Sequence, residues 1–215
     1  MITVSSKRAA IPGLVVIAVC AVVLSAYSGA STPEGRAPTQ PIAFPHPRHV
    51  GTLGMNCVYC HFAGFKAPDI GMPAVSTCMG CHSIIGAGGQ LMAQPGRPAR
   101  PSPELKKLQG YWNASDPTKS RPIAWVRVHK VPEYVHFPHV RHVNAGVTCQ
   151  TCHGPVQTMS VVYQYSSLNM GWCINCHVNG YSIAEGKRAA GLTPTQADLA
   201  APRMRARYDC AVCHY

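Results

Sequence analysis

Apolar positions are spread unevenly along this chain. After Lys7 and Arg8 a nearly unbroken apolar run covers residues 11–27, and no later stretch is as long or as apolar. A basic lead followed by such a run has the form of a secretory signal, and Ala-Tyr-Ser-Gly-Ala supplies small residues for cleavage. It has equally the form of an uncleaved anchor, at the short end of the ~17–25 residues a membrane span takes. We read residues 11–28 as the anchor. The basic residues ahead of it place residues 1–10 in the cytoplasm and the bulk of the chain on the periplasmic side, as a single-pass cell-membrane protein. Cys20 follows Val19, a poor lipoprotein cleavage context, and reads as a small apolar residue of the span.

Beyond a Pro-rich linker (residues 29–43) the periodicity is weak. "SPELKKLQGYW" predicts a short helix with Ser102 as its N-cap and Glu104 in its first turn, and "TPTQADLAAPRMRARY" predicts another. "GAGGQLMAQPGRPARPSP" has no apolar period and reads as a loop. "SVVYQY" and "IAWVRVH" are the only stretches suggesting strands. Gly and Pro number 19 each, so helices should be short, and aromatic residues at 7% leave few large side chains for a core. Something else must fill the interior.

Ten of the 11 cysteines fall into one repeated pattern. The copies are Cys57-Val-Tyr-Cys60-His61, Cys78-Met-Gly-Cys81-His82, Cys149-Gln-Thr-Cys152-His153, Cys173-Ile-Asn-Cys176-His177 and Cys210-Ala-Val-Cys213-His214. C-x-x-C-H is the attachment signature of c-type haem. Two thiols add across the porphyrin vinyl groups, and the following His provides the proximal nitrogen to iron. A zinc site needs four ligands and has no reason to place His after every pair. A disulfide scaffold gives His no role. The chain should therefore carry five covalently bound haem c groups, whose flat apolar bodies supply the missing core, and the apoprotein should have little stable structure.

Each iron has a second axial place. His46, His49, His129, His136, His139 and His142 remain for five irons. Four of them lie in two copies of F-P-H-x-R-H-V, each just upstream of a haem motif. Two His three residues apart cannot wrap one macrocycle roughly 10 Å across when extended chain covers about 3.3 Å per residue. His46 and His49, and likewise His139 and His142, should therefore be distal ligands to two different irons. For the fifth place His129 is favoured. His136 competes with it, as do the thioethers of Met72, Met159 and Met170, because His/Met ligation occurs.

The motifs outline an internal duplication at a spacing of about 92 to 95 residues. We divide the chain into a first dihaem unit with its Gly/Pro-rich loop (44–124), a second dihaem unit (125–180) and a fifth-haem segment (181–215). The expected fold class is a mostly α and irregular multihaem cytochrome with short helices, little sheet and one N-terminal transmembrane helix. The formal charge of +11 invites a nucleic-acid reading. The chain lacks a continuous basic stripe, and ten propionates would contribute about −10 against about +1 per ferric core, with several Arg as propionate partners. No nucleic acid is expected.

His-x-x-His followed by C-x-x-C-H resembles the class III, cytochrome c3/c7-like multihaem pattern. "WVRVHKVPEYVHFPHVRHVNAGVTCQTCHGPVQTM" followed by "LNMGWCINCH" resembles, more closely, the pentahaem subunit of alternative complex III, a bacterial quinol-oxidising membrane complex. The resemblance spans roughly residues 42–215, and its specific part is 125–177. It implies a membrane-anchored subunit of a respiratory or photosynthetic chain that takes electrons from an iron–sulfur subunit. Such a subunit passes them to a monohaem cytochrome or another periplasmic acceptor, while polytopic subunits bind the quinol. The family more often has an aromatic residue at the position of His136. The c3 pattern implies that His46 serves the Cys57 haem and His139 the Cys149 haem. The expected function is electron transfer without bond chemistry of the chain's own. The alternative is a multihaem reductase or quinol dehydrogenase with one open haem.

Overall fold

A computed structural model of the chain describes residues 6–27, 33–86 and 102–214. The extreme N-terminus, part of the linker and most of the Gly/Pro-rich loop expected before Ser102 lie outside the described residues. Helix α1 (Ser6–Tyr27) holds Pro12 inside it. Its side chains over residues 12–24 are all exposed, Leu14 and Ile17 each at 66%. Over the described residues no helix is long and apolar enough to cross a membrane.

The remaining helices are short: α2 (Cys57–Cys60), α3 (Val75–His82), α4 (Pro103–Gln109), α5 (His139–Asn144), α6 (Cys149–His153), α7 (Met170–Asn179), α8 (Ile183–Ala189), α9 (Gln196–Ala200) and α10 (Cys210–Cys213). The frequent breakers account for their length. Capping follows the sequence where a side chain can reach. Ser102 accepts from the Glu104 N–H at the start of α4. Thr195 and Asp198 form a capping box on α9. That helix ends at Ala200, and the chain runs on to α10 without further helix.

Sheet is almost absent. Among the described residues it amounts to the isolated bridges Val135–His214 and Tyr181–Met204. The two stretches that suggest strands do not pair as a ladder. Gln164 of "SVVYQY" is fully buried and bonds in three directions instead. Its backbone exchanges bonds with Gly35 (2.7 Å) and Arg36 (3.0 Å). Its side chain accepts from the Lys130 N–H (3.2 Å) and donates to the carbonyls of Ser166 (3.1 Å) and Ser167 (3.3 Å). A buried amide must find partners, and this one finds them by tying the linker to the second half of the chain.

The apolar core is small. Ile42, Val75, Met79, Leu108 and Ile123 form its buried centre, with Leu105, Tyr111, Trp112 and Trp125 packed around it.

Candidate haem-binding sites

Every C-x-x-C pair sits on a helical turn: α2, the end of α3, α6, the middle of α7 and α10. Residues three apart on a helix share a face, so both thiols of a pair present themselves to one flat body. Where the helix itself stops at the second Cys, the turn still closes onto the following His. The N–H of His61 donates to the Cys57 carbonyl at 2.9 Å, and that of His214 to the Cys210 carbonyl at 2.9 Å. Asn56 caps the first turn and Asn169 the helix carrying the fourth. Among the described residues all cysteines are free thiols.

Burial pushes most of these thiols up, Cys152 to about 12, with Cys176 and Cys173 as further charged neighbours. Cys60 and Cys78 are also raised by burial, Cys60 further by Cys81 and Cys57 as charged neighbours and Cys78 further by Cys60. Cys173 is raised by burial and by Cys213. Cys57 is shifted the other way. A hydrogen bond with the Cys149 thiol holds it down to about 6, and the same bond raises Cys149.

The histidines are prepared as neutral nitrogen ligands. Burial pushes His46 down to about 4 and His153 to about 3, and lowers His61, His129 and His142. In six rings Nδ1 lies against a backbone carbonyl. These are His49 on Pro45 (3.0 Å), His82 on Ile85 (2.9 Å), His139 on Pro68 (3.1 Å), His142 on Pro138 (3.1 Å), His177 on Arg207 (2.6 Å) and His214 on Tyr134 (3.4 Å). A carbonyl only accepts, so Nδ1 carries the hydrogen and Nε2 keeps its lone pair for a metal.

Ring positions go further. Two imidazoles on opposite sides of one metal, each nitrogen about 2.0 Å away, have ring centres roughly 6.3 Å apart. His139 and His153 are 6.4 Å apart and within 15° of parallel. His142 and His177 are 6.1 Å apart, and His49 and His82 are 6.0 Å apart. His61 is near enough to His46 for its charge to help hold the His46 ring neutral. Nδ1 of both rings is buried without a partner, as is Nε2 of His129. Among the described residues no three His, Cys, Asp or Glu side chains gather around one point. The donors come as opposed pairs, which suits the two axial places of a haem iron and not a bare metal ion.

At the fifth motif His214 has a ring contact with Tyr134, 5.6 Å away and 30° from parallel. His129 lies beside His153, ring centres 4.2 Å apart and Nδ1 to Nδ1 3.3 Å. His136 runs alongside the fifth motif, its backbone N–H donating to the Cys213 carbonyl at 2.7 Å. Met159 is buried, whereas Met72 and Met170 are exposed.

Two residues of the site region carry no haem-motif signal in the sequence. Tyr181 is buried, and its hydroxyl accepts from the Thr148 N–H ahead of the third motif at 3.1 Å. A Cβ on Gly186 would collide with that hydroxyl, so only glycine admits it. Gly154 follows the third motif at φ +71°, and a Cβ there would meet the Tyr165 ring. The only sequence signal at Gly154 is a glycine directly after C-x-x-C-H.

Residues 141–215, which hold His142 and the last three motifs, match the Cytochrome c3 family. Over 176 residues, 81% of this chain and 67% of the relative, the sequence is 24% identical to the menaquinone reductase multihaem cytochrome c subunit of Nitratidesulfovibrio vulgaris Hildenborough. Paired imidazoles, repeated C-x-x-C-H turns and these likenesses agree: the chain contains a cytochrome c3-like multihaem domain and is distantly related to a multihaem cytochrome c subunit.

Proposed function

We propose that this chain is a membrane-anchored pentahaem electron-relay subunit of a quinol-oxidising complex of the alternative complex III type. The observation that carries the relay reading is the set of opposed imidazole pairs at 6.0, 6.1 and 6.4 Å. Haem, when bound, supplies one-electron chemistry at iron. The chain's own part is to attach, orient and space. Cys57 and Cys60, Cys78 and Cys81, Cys149 and Cys152, Cys173 and Cys176, and Cys210 and Cys213 attach. His61, His82, His153, His177 and His214 are the proximal ligands. His46, His49, His139 and His142 would be the distal ones, and an iron held by two imidazoles would be kept from substrates.

The α1 side chains over residues 12–24 are apolar and exposed, and lipid or a partner helix would cover them. That supports anchoring, with the haem-bearing part outside the cytoplasm. The named relative belongs to a complex that reduces menaquinone. A quinone-linked membrane complex is the reading common to both, and the match between residues 125–177 and the alternative complex III pattern favours the quinol-oxidising form. The partners are then an iron–sulfur subunit, polytopic quinol-binding subunits and a monohaem cytochrome.

A second reading, with one open axial place, has its support at the fifth motif, where His214 faces Tyr134 and His129 is engaged with His153.

Affinity purification of the tagged full chain from its native membranes tests the proposal. It should bring down an iron–sulfur and a polytopic subunit, and added quinol should reduce the haems of that complex. Recovery of the chain alone, with haems indifferent to quinol, would contradict it.

A further inference from the structure

The two repeats touch each other reciprocally. The π-type turn Pro47–Thr52, which carries His49, packs on the 3-10 turn Val156–Thr158 that follows the third motif. In return α5, which carries His139 and His142, packs on the 3-10 turn Phe62–Phe65 that follows the first motif. These four segments are equivalent in pairs under the repeat spacing of about 92 to 95 residues. Each repeat therefore uses the same two surfaces, as in an isologous dimer. His139 hydrogen-bonds across the contact. Both the N–H and Nδ1 of His139 reach the Pro68 carbonyl, at 2.9 and 3.1 Å. At the centre Cys57 and Cys149 lie near enough for each to shift the other's ionisation. They are the first cysteines of the first motif in each repeat, so equivalent points meet.

We propose that the two repeats join head to head about an internal pseudo-twofold axis, so that the five motifs form a row in the order Cys78, Cys57, Cys149, Cys173, Cys210 rather than in chain order. This rests on the five-haem reading above. Each step of the row has its own contact. His46 and His49 lie three residues apart, with His46 beside His61 and His49 opposite His82, which joins the Cys57 and Cys78 sites. The packing of Pro47–Thr52 on Val156–Thr158 and of α5 on Phe62–Phe65 brings the Cys57 and Cys149 motifs together across the axis. His139 and His142 share α5 and lie opposite His153 and His177, which joins the third and fourth sites. The fourth and fifth are joined through the run ahead of α10. Nδ1 of His177 donates to the Arg207 carbonyl at 2.6 Å, and the Ala206 N–H donates to the His177 carbonyl at 3.2 Å.

The consequence is that the duplication builds the middle of the row and the C-terminal segment extends one end. One-electron partners reach the row at the Cys78 and Cys210 motifs without passing another site. The Cys78 motif, second in the chain, is an end and not a bridge between the repeats.

Anomalous scattering at the iron edge from crystals of the haem-loaded complex tests this. Five iron peaks are expected, with the Cys57 and Cys149 irons nearest neighbours across the axis. A twofold rotation should superpose the first pair of irons on the second pair in exchanged order. Five irons with the Cys78 iron adjoining the Cys149 iron would overturn the row and leave the five-haem reading standing. Fewer than five irons would overturn that reading and the row with it.

Discussion

Phe137 stacks on His142, ring centres 4.4 Å apart and planes 29° from parallel. Phe44 does the same to His49 at 4.4 Å and 24°. Each Phe also meets the first His of its pair edge-on at 4.8 Å. The proline carbonyl four residues before the second His accepts from its Nδ1 in both copies. F-P-H-x-R-H is thus a local device: Phe stacks on one imidazole and edges the other, and Pro fixes the tautomer of the second. Phe137→Ala should cost roughly 3 kcal/mol of stability, at the low end of buried Phe truncations because the ring is half-buried. It should broaden the low-spin EPR signals of two haems and leave the others unchanged. Thermal unfolding and EPR of the same sample check both parts.

Exchanging single ligands tests the assignment within α5. His142→Met should raise the potential of one haem, and His139→Met that of a different one, because thioether ligation favours the ferrous state. A spectroscopic redox titration resolves them. If both variants moved the same single haem, the pairing of His139 with His153 and of His142 with His177 would be wrong.

Gly154→Ala places a methyl group against Tyr165 at φ +71°. We expect a loss of roughly 1–3 kcal/mol from overpacking and reduced haem attachment at Cys149 and Cys152. Gly35→Ala, at φ +79° with nothing within 4 Å, meets the backbone cost without the clash and serves as the control. Equal losses in the two variants would remove the Tyr165 contact from the account.

Helices α8 and α9 are clasped by Asp198, which bonds Lys187 at 2.6 Å and closes the Thr195 capping box. The Lys187 bond, then the Thr195 bonds, hold the Asp198 carboxyl down to about 2 from its usual 3.8. A depressed carboxyl stabilises the fold above its ordinary value and loses that contribution as pH falls through about 2. Acid unfolding of Asp198→Asn should lack this component. Thr195→Ala should cost about 1 kcal/mol at neutral pH.

The haem motifs and the paired His were legible because their chemistry is encoded within a few residues. C-x-x-C-H needs one helical turn, and F-P-H-x-R-H needs two. The Ser102 cap is equally local. What was not legible is set by distant packing. Nothing near His129 in the chain says that it will sit against His153, 24 residues on. "SVVYQY" alternates as a strand would, yet Gln164 is drawn to Gly35 and Arg36, far away in sequence. The meeting of Cys57 with Cys149 follows from how two repeats face each other, which a repeat spacing does not specify. The N-terminal run reads as an anchor from composition. Intact mass and N-terminal sequencing of native material decide it, with an uncleaved chain expected and a start near Ser28 contradicting it.

Low-temperature EPR of the fully oxidised native complex, with the haem count of the same sample taken by pyridine haemochrome, tests the central claim most directly. The account predicts five covalent haems on the five C-x-x-C-H motifs. Low-spin signals should account for every haem except at most the one at His214. Two or more high-spin irons, or three or fewer haems in matured protein, would contradict a relay built on paired imidazoles.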